Sequence, residues 1–182
     1  MRIQGANVHL RTLALLDVSK THLHWRRDIE VTQGLECRFS EHARQSLRLF
    51  AIVTNHGGRY VGNIKLGPVS ARHGTANMLV RIEGENYWEE GIATEAIRLA
   101  TRYAFSFLSL RRLTATVNVS NARSVRAHEE AGFRVEGVRR GQILDNGVGG
   151  DRAILRMVAA DWIAQLPLTL PIQVTSEEYL AA

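Results

Sequence analysis

The chain contains a single cysteine, Cys37, so an intramolecular disulfide bond is excluded. Proline is also scarce, with three residues in 182, which leaves few interruptions to regular structure. No apolar run approaches the roughly 20 residues that cross a bilayer. Residues 1–7 show no apolar core followed by a cleavage site. We therefore expect a cytoplasmic protein with no membrane partner.

Lysine is scarce, and Lys20 and Lys65 are the only two lysines of the chain. The net charge of +5 and the pI near 10 therefore come mainly from arginine. Arginine recognises phosphate with a planar, bidentate geometry. A basic chain of this kind is compatible with binding of nucleic acid or of a polyphosphorylated cofactor, and a solvated arginine-rich surface is the alternative interpretation. The basic residues are scattered and not interleaved with aromatic ones, so we expect no nucleic-acid partner. A nucleic-acid-binding domain is kept as a non-enzyme alternative.

The order of predicted elements indicates one mixed α/β layer in a single domain, residues 1–164, followed by a tail, residues 165–182. A doubly wound dinucleotide fold would need repeated strand–helix alternation, which the pattern lacks. The predicted strands cover residues 7–13, 49–54, 59–66, 75–83, 112–119, 133–144 and 152–158. The predicted helices cover residues 15–29, 40–47, 91–108, 121–131 and 161–165, with a loop over 30–38.

One loop leads from a strand directly into a long helix, in the segment Tyr87-Trp88-Glu89-Glu90-Gly91-Ile92-Ala93-Thr94-Glu95-Ala96. The N-terminus of a helix exposes unpaired N–H groups and binds anions. Gly91 and Ala93 are small enough to let a pyrophosphate approach the backbone, and Thr94 adds a hydroxyl. An ordinary strand-to-helix turn is the alternative interpretation of this segment by itself.

Two further segments lie in register with this loop. The first, Asn121 to Phe133, is a helix of the form Asn-x-x-Ser that ends in Gly-Phe, and the second is Asp151 to Met157 followed by Asp161-Trp162. Together the three segments resemble the Gcn5-related N-acetyltransferases (the GNAT superfamily). They are most similar to the branch that contains the ribosomal-protein N-terminal acetyltransferases and the spermidine acetyltransferases. The likeness runs from about residue 7 to residue 162.

The resemblance implies the GNAT fold, a single mixed, mostly antiparallel sheet flanked by helices, and acetyl-CoA as the cofactor, without a metal. In this family the strand that holds residues 80–82 separates from its neighbour and leaves main-chain groups for the pantetheine and the acetyl carbonyl. Arg123 and Arg126 are further candidates, from charge and position, for the adenosine 3′-phosphate; a solvated helix face is the alternative. The implied cofactor-binding residues are Val80, Arg81, Ile82, Trp88, Glu89, Glu90, Gly91, Ile92, Ala93, Thr94, Asn121 and Arg126.

The catalytic candidates are His128, Glu83 and Ser124. Many members of the family have a tyrosine where this chain has His128, and that tyrosine protonates the leaving thiolate; a histidine can act as an acid too, or merely line the site. Glu83 is the first candidate for the base that removes the ammonium proton, ahead of His73 and Glu41. A covalent role for Cys37 is not expected, because no base accompanies it.

The acceptor is a small-molecule or peptide amine. A protein N-terminus is the first choice by branch. A nucleotide-linked amino sugar is second, since residues 60–68 resemble members linked to polysaccharide synthesis and a basic protein suits an anionic substrate. A polyamine is third, since like charges repel. An acetyl-CoA sensor without turnover is a further alternative.

The tail is rich in leucine and other apolar residues. We expect it to pack on its own domain or on a partner subunit, in a homodimer.

Overall fold

The computed structural model describes residues 1–14, 17, 46–84, 91–145 and 148–166. Within these ranges the chain forms eight strands and three helices. In chain order they are β1 (Arg2–Gln4), β2 (Val8–Thr12), β3 (Arg48–Thr54), β4 (Tyr60–Leu66), β5 (Thr75–Ile82), α1 (Ile92–Ser106), β6 (Arg112–Asn118), α2 (Ala122–Glu130), β7 (Arg134–Asp145), β8 (Val148–Val158) and α3 (Ala159–Gln165).

The strands form one sheet in the order β1-β2-β3-β4-β5-β6-β8-β7. Every neighbouring pair is antiparallel except β5 and β6, which run parallel because α1 lies between them in the chain. The prediction of a mixed, mostly antiparallel sheet flanked by helices is therefore confirmed.

The main core lies between the sheet and α1. Apolar residues recur along α1 at helical spacing, so Ile97, Ala100 and Ala104 fall on one face and are at most 1% exposed. The ring of Phe50 on β3 meets Tyr103 of α1 edge-on, with centroids 5.2 Å apart. α2 packs against α1, β6 and β7. This packing fixes where the first turn of α1 stands relative to the strands.

The opposite face of the sheet carries a smaller apolar cluster of Leu13, Ala51 and Val53, with Leu49, Tyr60 and Leu79 packed against it. The three described helices all contribute to the main core, so none of them covers this second face. Polar side chains therefore stand on it beside the cluster. Asn63 is among them, and it is 4% exposed.

β5 pairs with β6 over only half of its length. The parallel register runs from Thr75↔Arg112 to Met78↔Ala115 and stops there, although both strands continue. On its other side β5 stays paired with β4 as far as Ile82. The two strands therefore separate beyond Met78, and this opening, between residues 79–82 and 116–118, is called the β5–β6 gap below.

Several elements differ from the sequence-based ones, most of them by one or two residues at an end. β1 was not predicted, since three residues give too little alternation to detect. β8 begins at Val148, four residues before the predicted start. Gly149 and Gly150, which the sequence places in a turn, pair with Leu144 and Ile143 instead and extend the hairpin. The helix predicted over 91–108 covers Ile92–Ser106.

The helices predicted over 15–29 and 40–47 and the loop over 30–38 lie outside the described residues, apart from Asp17 and Ser46, which are helical, and Leu47, which is not. Most of the tail is outside them too. Its first residue, Gln165, ends α3 and packs closely on Gly132. A Cβ added to Gly132 would lie 2.0 Å from Oε1 of Gln165.

Candidate functional site

The first turn of α1 presents its main chain to open space. Gly91 precedes the helix in the left-handed conformation, with φ 68° and ψ 5°, and no side chain of the described residues caps the helix there. A Cβ added to Gly91 would meet no atom of the described residues within 4 Å. Helix geometry gives the N–H groups of Ile92, Ala93 and Thr94 no acceptor within the helix. The turn thus offers unpaired donors and the positive end of a helix dipole to an anion.

Two side chains of this turn point away from it. Thr94 is 7% exposed, and its hydroxyl donates to Oε2 of Glu130 at 3.1 Å. Glu95 accepts hydrogen bonds from both the N–H and the side-chain amide of Asn7, at 3.0 to 3.2 Å. Thr94 had been expected to add a hydroxyl contact to phosphate; in this structure the hydroxyl is engaged by Glu130, so Thr94 offers its main-chain N–H instead.

The β5–β6 gap exposes main-chain groups of alternate residues. Glu83 donates its N–H to the carbonyl of Val61, and Asn77 accepts from the N–H of Gly67, each at 2.8 Å, so the odd-numbered residues of β5 bond to β4. The N–H and C=O groups of Val80 and Ile82 therefore face the gap, as a donor and acceptor pair for a ligand. Arg81 is placed differently from the expectation, because its main-chain groups face β4, where it pairs with Asn63.

The start of α2 is capped by its own motif. The side-chain oxygen of Asn121 accepts from the N–H of Ser124 at 3.0 Å, which is an ordinary N-cap interaction. Arg123 and Arg126 are both exposed on the same helix. Asn121 thus has a structural role in addition to the predicted contact with the cofactor.

His128 is buried and neutral. Its side chain is 2% exposed, and Nδ1 lies 2.7 Å from the carbonyl oxygen of Ser124. A carbonyl only accepts, so Nδ1 carries the proton and Nε2 is a bare acceptor, which has no partner among the described residues. Burial lowers the pKa of His128, and the hydrogen bond to Ser124 offsets this only in part. Acting as an acid would require a second proton on a ring that burial keeps neutral.

Glu83 follows β5 directly and is partly exposed, close enough to Tyr60 of β4 for its charge to act on the phenol. Asn63 donates from its amide to the hydroxyl of Tyr60 at 3.2 Å. Burial raises the pKa of Tyr60 to about 12, and the negative charge of Glu83 acts in the same direction, so the phenol stays protonated. Sequence reasoning missed Tyr60 and Asn63 as site residues; an alternating strand supplies no signal for which polar side chains will be buried.

The other candidates are distributed as follows. His73 precedes β5 and so lies at the opposite end of the strand from the gap, roughly 20 Å along it at 3.3 Å per residue. The structure therefore does not bring His73 together with Glu83. Trp88, Glu89, Glu90, Glu41 and Cys37 lie outside the described residues.

Within the described ranges, no group of three or more histidine, cysteine, aspartate or glutamate side chains is arranged to hold a metal ion. None of the helices described is both long and apolar enough to span a membrane.

Comparison with known proteins decides the family. Residues 7–134 match the model of the acetyltransferase (GNAT) domain, which covers most of the chain. The chain belongs to the GNAT acetyltransferase family. Acetyltransferases of this family use acetyl-CoA. The open turn at Gly91 and the two exposed main-chain pairs on β5 fit such a ligand, which carries a pyrophosphate and an amide-containing arm.

The relatives are N-acetyltransferases. The chain is 33% identical over 112 residues to a probable N-acetyltransferase, YjcK, of Bacillus subtilis, a match that covers 62% of each chain. It is 31% identical over 103 residues to spermidine N(1)-acetyltransferase of Escherichia coli, covering 57% of this chain and 54% of that one. The matches thus span about half to three fifths of these relatives. The ribosomal-protein branch, suggested by the motifs, does not appear among them.

Solved structures show the same fold. The spermidine N-acetyltransferase of Vibrio cholerae in complex with CoA and spermine superposes with a TM-score of 0.72 at 21% identity, over 87% of this chain and 99% of that one. A dodecameric form of the same enzyme gives a TM-score of 0.73 at 22% identity. At this level of identity the likeness establishes the fold.

Proposed function

We propose that the protein transfers an acetyl group from acetyl-CoA to a primary amine, by direct attack of the amine while both substrates are bound. The observation that carries this proposal is the β5–β6 gap lying beside the open N-terminal turn of α1. A strand N–H in the gap can hold the acetyl carbonyl oxygen as charge develops on it, and the helix turn can hold the pyrophosphate. Much of the rate then comes from positioning the two reactants.

The acceptor amine is proposed to be a polyamine. Its support comes from the spermidine acetyltransferases of E. coli and V. cholerae among the relatives and structural neighbours. This reverses the order suggested by the sequence, in which a protein N-terminus came first and a polyamine third. The net charge of +5 opposes a polycation at long range, so the proposal needs local carboxylates at the acceptor site.

Glu83, Tyr60 and Asn63, which we call the acceptor face, are the groups proposed to receive the amine. Glu83 supplies a carboxylate that attracts an ammonium group and takes its proton, directly or through water. The oxygen atoms of Tyr60 and Asn63 add neutral acceptors. An ion pair and a further cation stand nearby. Arg11 holds Asp17 in a bidentate ion pair at 2.6 Å, which leaves that pair neutral, and the charge of Arg81 acts on Tyr60.

A mass-spectrometric screen with isotopically labelled acetyl-CoA tests the proposal. Spermidine and spermine would be compared with peptides that carry free N-termini and with nucleotide-linked amino sugars, each against a no-amine background. We expect acetylated polyamine well above that background. Acetylation of peptides or amino sugars, with polyamines at background, would overturn the choice of acceptor. Release of thiol no faster with any amine than without one would overturn transfer itself and favour a sensor.

A homodimer remains part of the proposal, completed by the apolar tail. Light scattering on the full chain and on a chain ending at residue 166 tests it, with a smaller oligomer expected for the shortened chain. An unchanged mass and solubility after shortening would contradict a role for the tail.

A further inference from the structure

Two hydrogen bonds join the beginning of α1 to the last residue of α2. The hydroxyl of Thr94 donates to the carboxylate of Glu130 at 3.1 Å, and one turn later Arg98 donates to the main-chain carbonyl of the same residue at 2.6 Å. Thr94 is 7% exposed, so its hydroxyl is largely shielded from competing water. The first turn of α1 is therefore fastened to α2 by Glu130.

The partner of Glu130 is unusual for a carboxylate at this place. An acidic group beside a helix N-terminus commonly accepts from the unpaired main-chain N–H groups. Here the carboxylate takes the Thr94 hydroxyl, and the N–H groups of Ile92, Ala93 and Thr94 stay available for a ligand. The contact thus holds the turn without occupying its donors.

Both helices begin at groups assigned to the cofactor. α1 starts at the open turn after Gly91, and α2 starts at Asn121. A helix of nine residues is stiff over its length, and α2 is already oriented by its packing against α1, β6 and β7. The contact between Thr94 and Glu130 adds a fixed point at its last residue, which limits how far the two helix starts can shift relative to each other.

We propose that Thr94 and Glu130 are positioning residues for acetyl-CoA, which hold the starts of α1 and α2 at the spacing that binds the donor. This inference rests on acetyl-CoA as the donor and is independent of which amine is acetylated. Charge alone predicts the opposite change in acetyl-CoA affinity when Glu130 is removed. A carboxylate next to an anion site repels the ligand, so removing Glu130 should tighten binding if only its charge mattered.

Glu129, the neighbouring residue, is a matched control. Its side chain is exposed and has no hydrogen bond or ion pair with the residues that the structure describes. Glu129→Ala removes the same charge from the same helix end without removing a contact. It should leave acetyl-CoA affinity unchanged or slightly improved.

The test is isothermal titration of the full-length protein with acetyl-CoA and with free coenzyme A. We expect Glu130→Ala and Thr94→Val each to raise the Kd roughly three- to tenfold, the scale of one lost hydrogen bond. Thr94→Ser and Glu130→Gln, which keep a donor and an acceptor, should stay within about twofold of the wild type. The double variant Thr94→Val, Glu130→Ala should bind no worse than either single one, since both remove the same contact.

Three results would overturn the proposal. They are a Kd for Glu130→Ala equal to or lower than that of Glu129→Ala, losses that add in the double variant, and a Thr94→Ser variant as weak as Thr94→Val. Circular dichroism at the titration temperature confirms that each variant is folded; should Glu130→Ala unfold, the Thr94 pair decides alone. Acetyl-CoA binding is measured without an acceptor, so a wrong choice of amine does not affect the outcome.

Discussion

The proposed donor side and the proposed acceptor face are made from different kinds of groups. The donor side, at the first turn of α1 and along β5, offers main-chain N–H and C=O groups of residues such as Val80 and Ile82. The acceptor face offers the side chains of Glu83, Tyr60 and Asn63. A site made of main chain depends on backbone conformation and tolerates changes of side chain. A site made of side chains has the opposite sensitivity, and the following variants test this difference.

The largest effect is expected at Gly91. A β-branched residue there would be strained, because φ is 68° and only glycine adopts the left-handed region freely. Gly91→Val should raise the KM for acetyl-CoA about tenfold or more and leave the KM for the amine unchanged, as steady-state kinetics can show. Gly141 is the matched control, with φ 58°, the same open space and a place on the edge strand β7. An equal rise in KM for Gly141→Val would mean that general strain, not donor binding, is measured.

Asn121 is the exception on the donor side, because its side chain caps the main chain at the start of α2. Asn121→Ala removes the N-cap of α2 and should cost about 1 kcal/mol of stability, which lowers the Tm by roughly 2–4 °C in a domain of this size. Asn121→Ser keeps a capping oxygen and should retain the Tm in calorimetry. If both variants melt alike, the cap seen at Ser124 contributes nothing measurable.

Tyr60 tests the acceptor face. Tyr60→Phe removes one hydroxyl and leaves the amide of Asn63 without its acceptor, so the KM for the amine should rise roughly two- to fivefold, the scale of one neutral hydrogen bond. The Kd for acetyl-CoA should not change. Tyr103→Phe, in the core against Phe50, is the control and should alter neither constant. A change in the acetyl-CoA Kd alone would indicate that Tyr60 acts on binding of acetyl-CoA and not on binding of the amine.

The smallest effect concerns pH and His128. Burial holds the pKa of this residue below its usual 6.5 in the folded state, so the unfolded chain binds the extra proton first as the pH falls. The stability due to neutral His128 is therefore present above pH 6.5 and is lost as the pH drops through the folded-state pKa. In urea titrations, His128→Phe should lose less stability than the wild type between pH 7.5 and 5.5.

Burial lowers the pKa of His9 as well, so His9 also contributes a loss of stability as the pH falls. Because His9 is present in both the wild type and His128→Phe, it does not account for a difference between them. His56 in the exposed β3–β4 turn is the control, and His56→Gln should keep the wild-type slope. An unchanged slope in His128→Phe would mean that His128 binds a proton as readily in the folded protein as in the unfolded chain, and would return His128 to the acid role.

The elements that surround the proposed donor side could be predicted from sequence because their signals are local. Gly91 marks the open turn, Asn121 and Gly132 mark the beginning and end of α2, and the alternation of Arg112–Asn118 marks a strand. Of the proposed acceptor face only Glu83 was a candidate from sequence, because Tyr60 is far from it in the chain and approaches it only through the pairing of β4 with β5. The same limit applies to His128, whose helical position was predictable, whereas the tautomer set by Ser124 was not.

The two halves of β5 differ in whether their main chain is paired with β6. Residues 75–78 are paired with β6, whereas the amides of Val80 and Ile82 face the gap, where β6 no longer pairs with β5. In deuterated water these two amides should exchange their hydrogens far faster than that of Met78, two residues away in the same strand. Binding of the donor should slow them, so a pair of alternate amides reports occupancy of the gap without any chemical label or turnover.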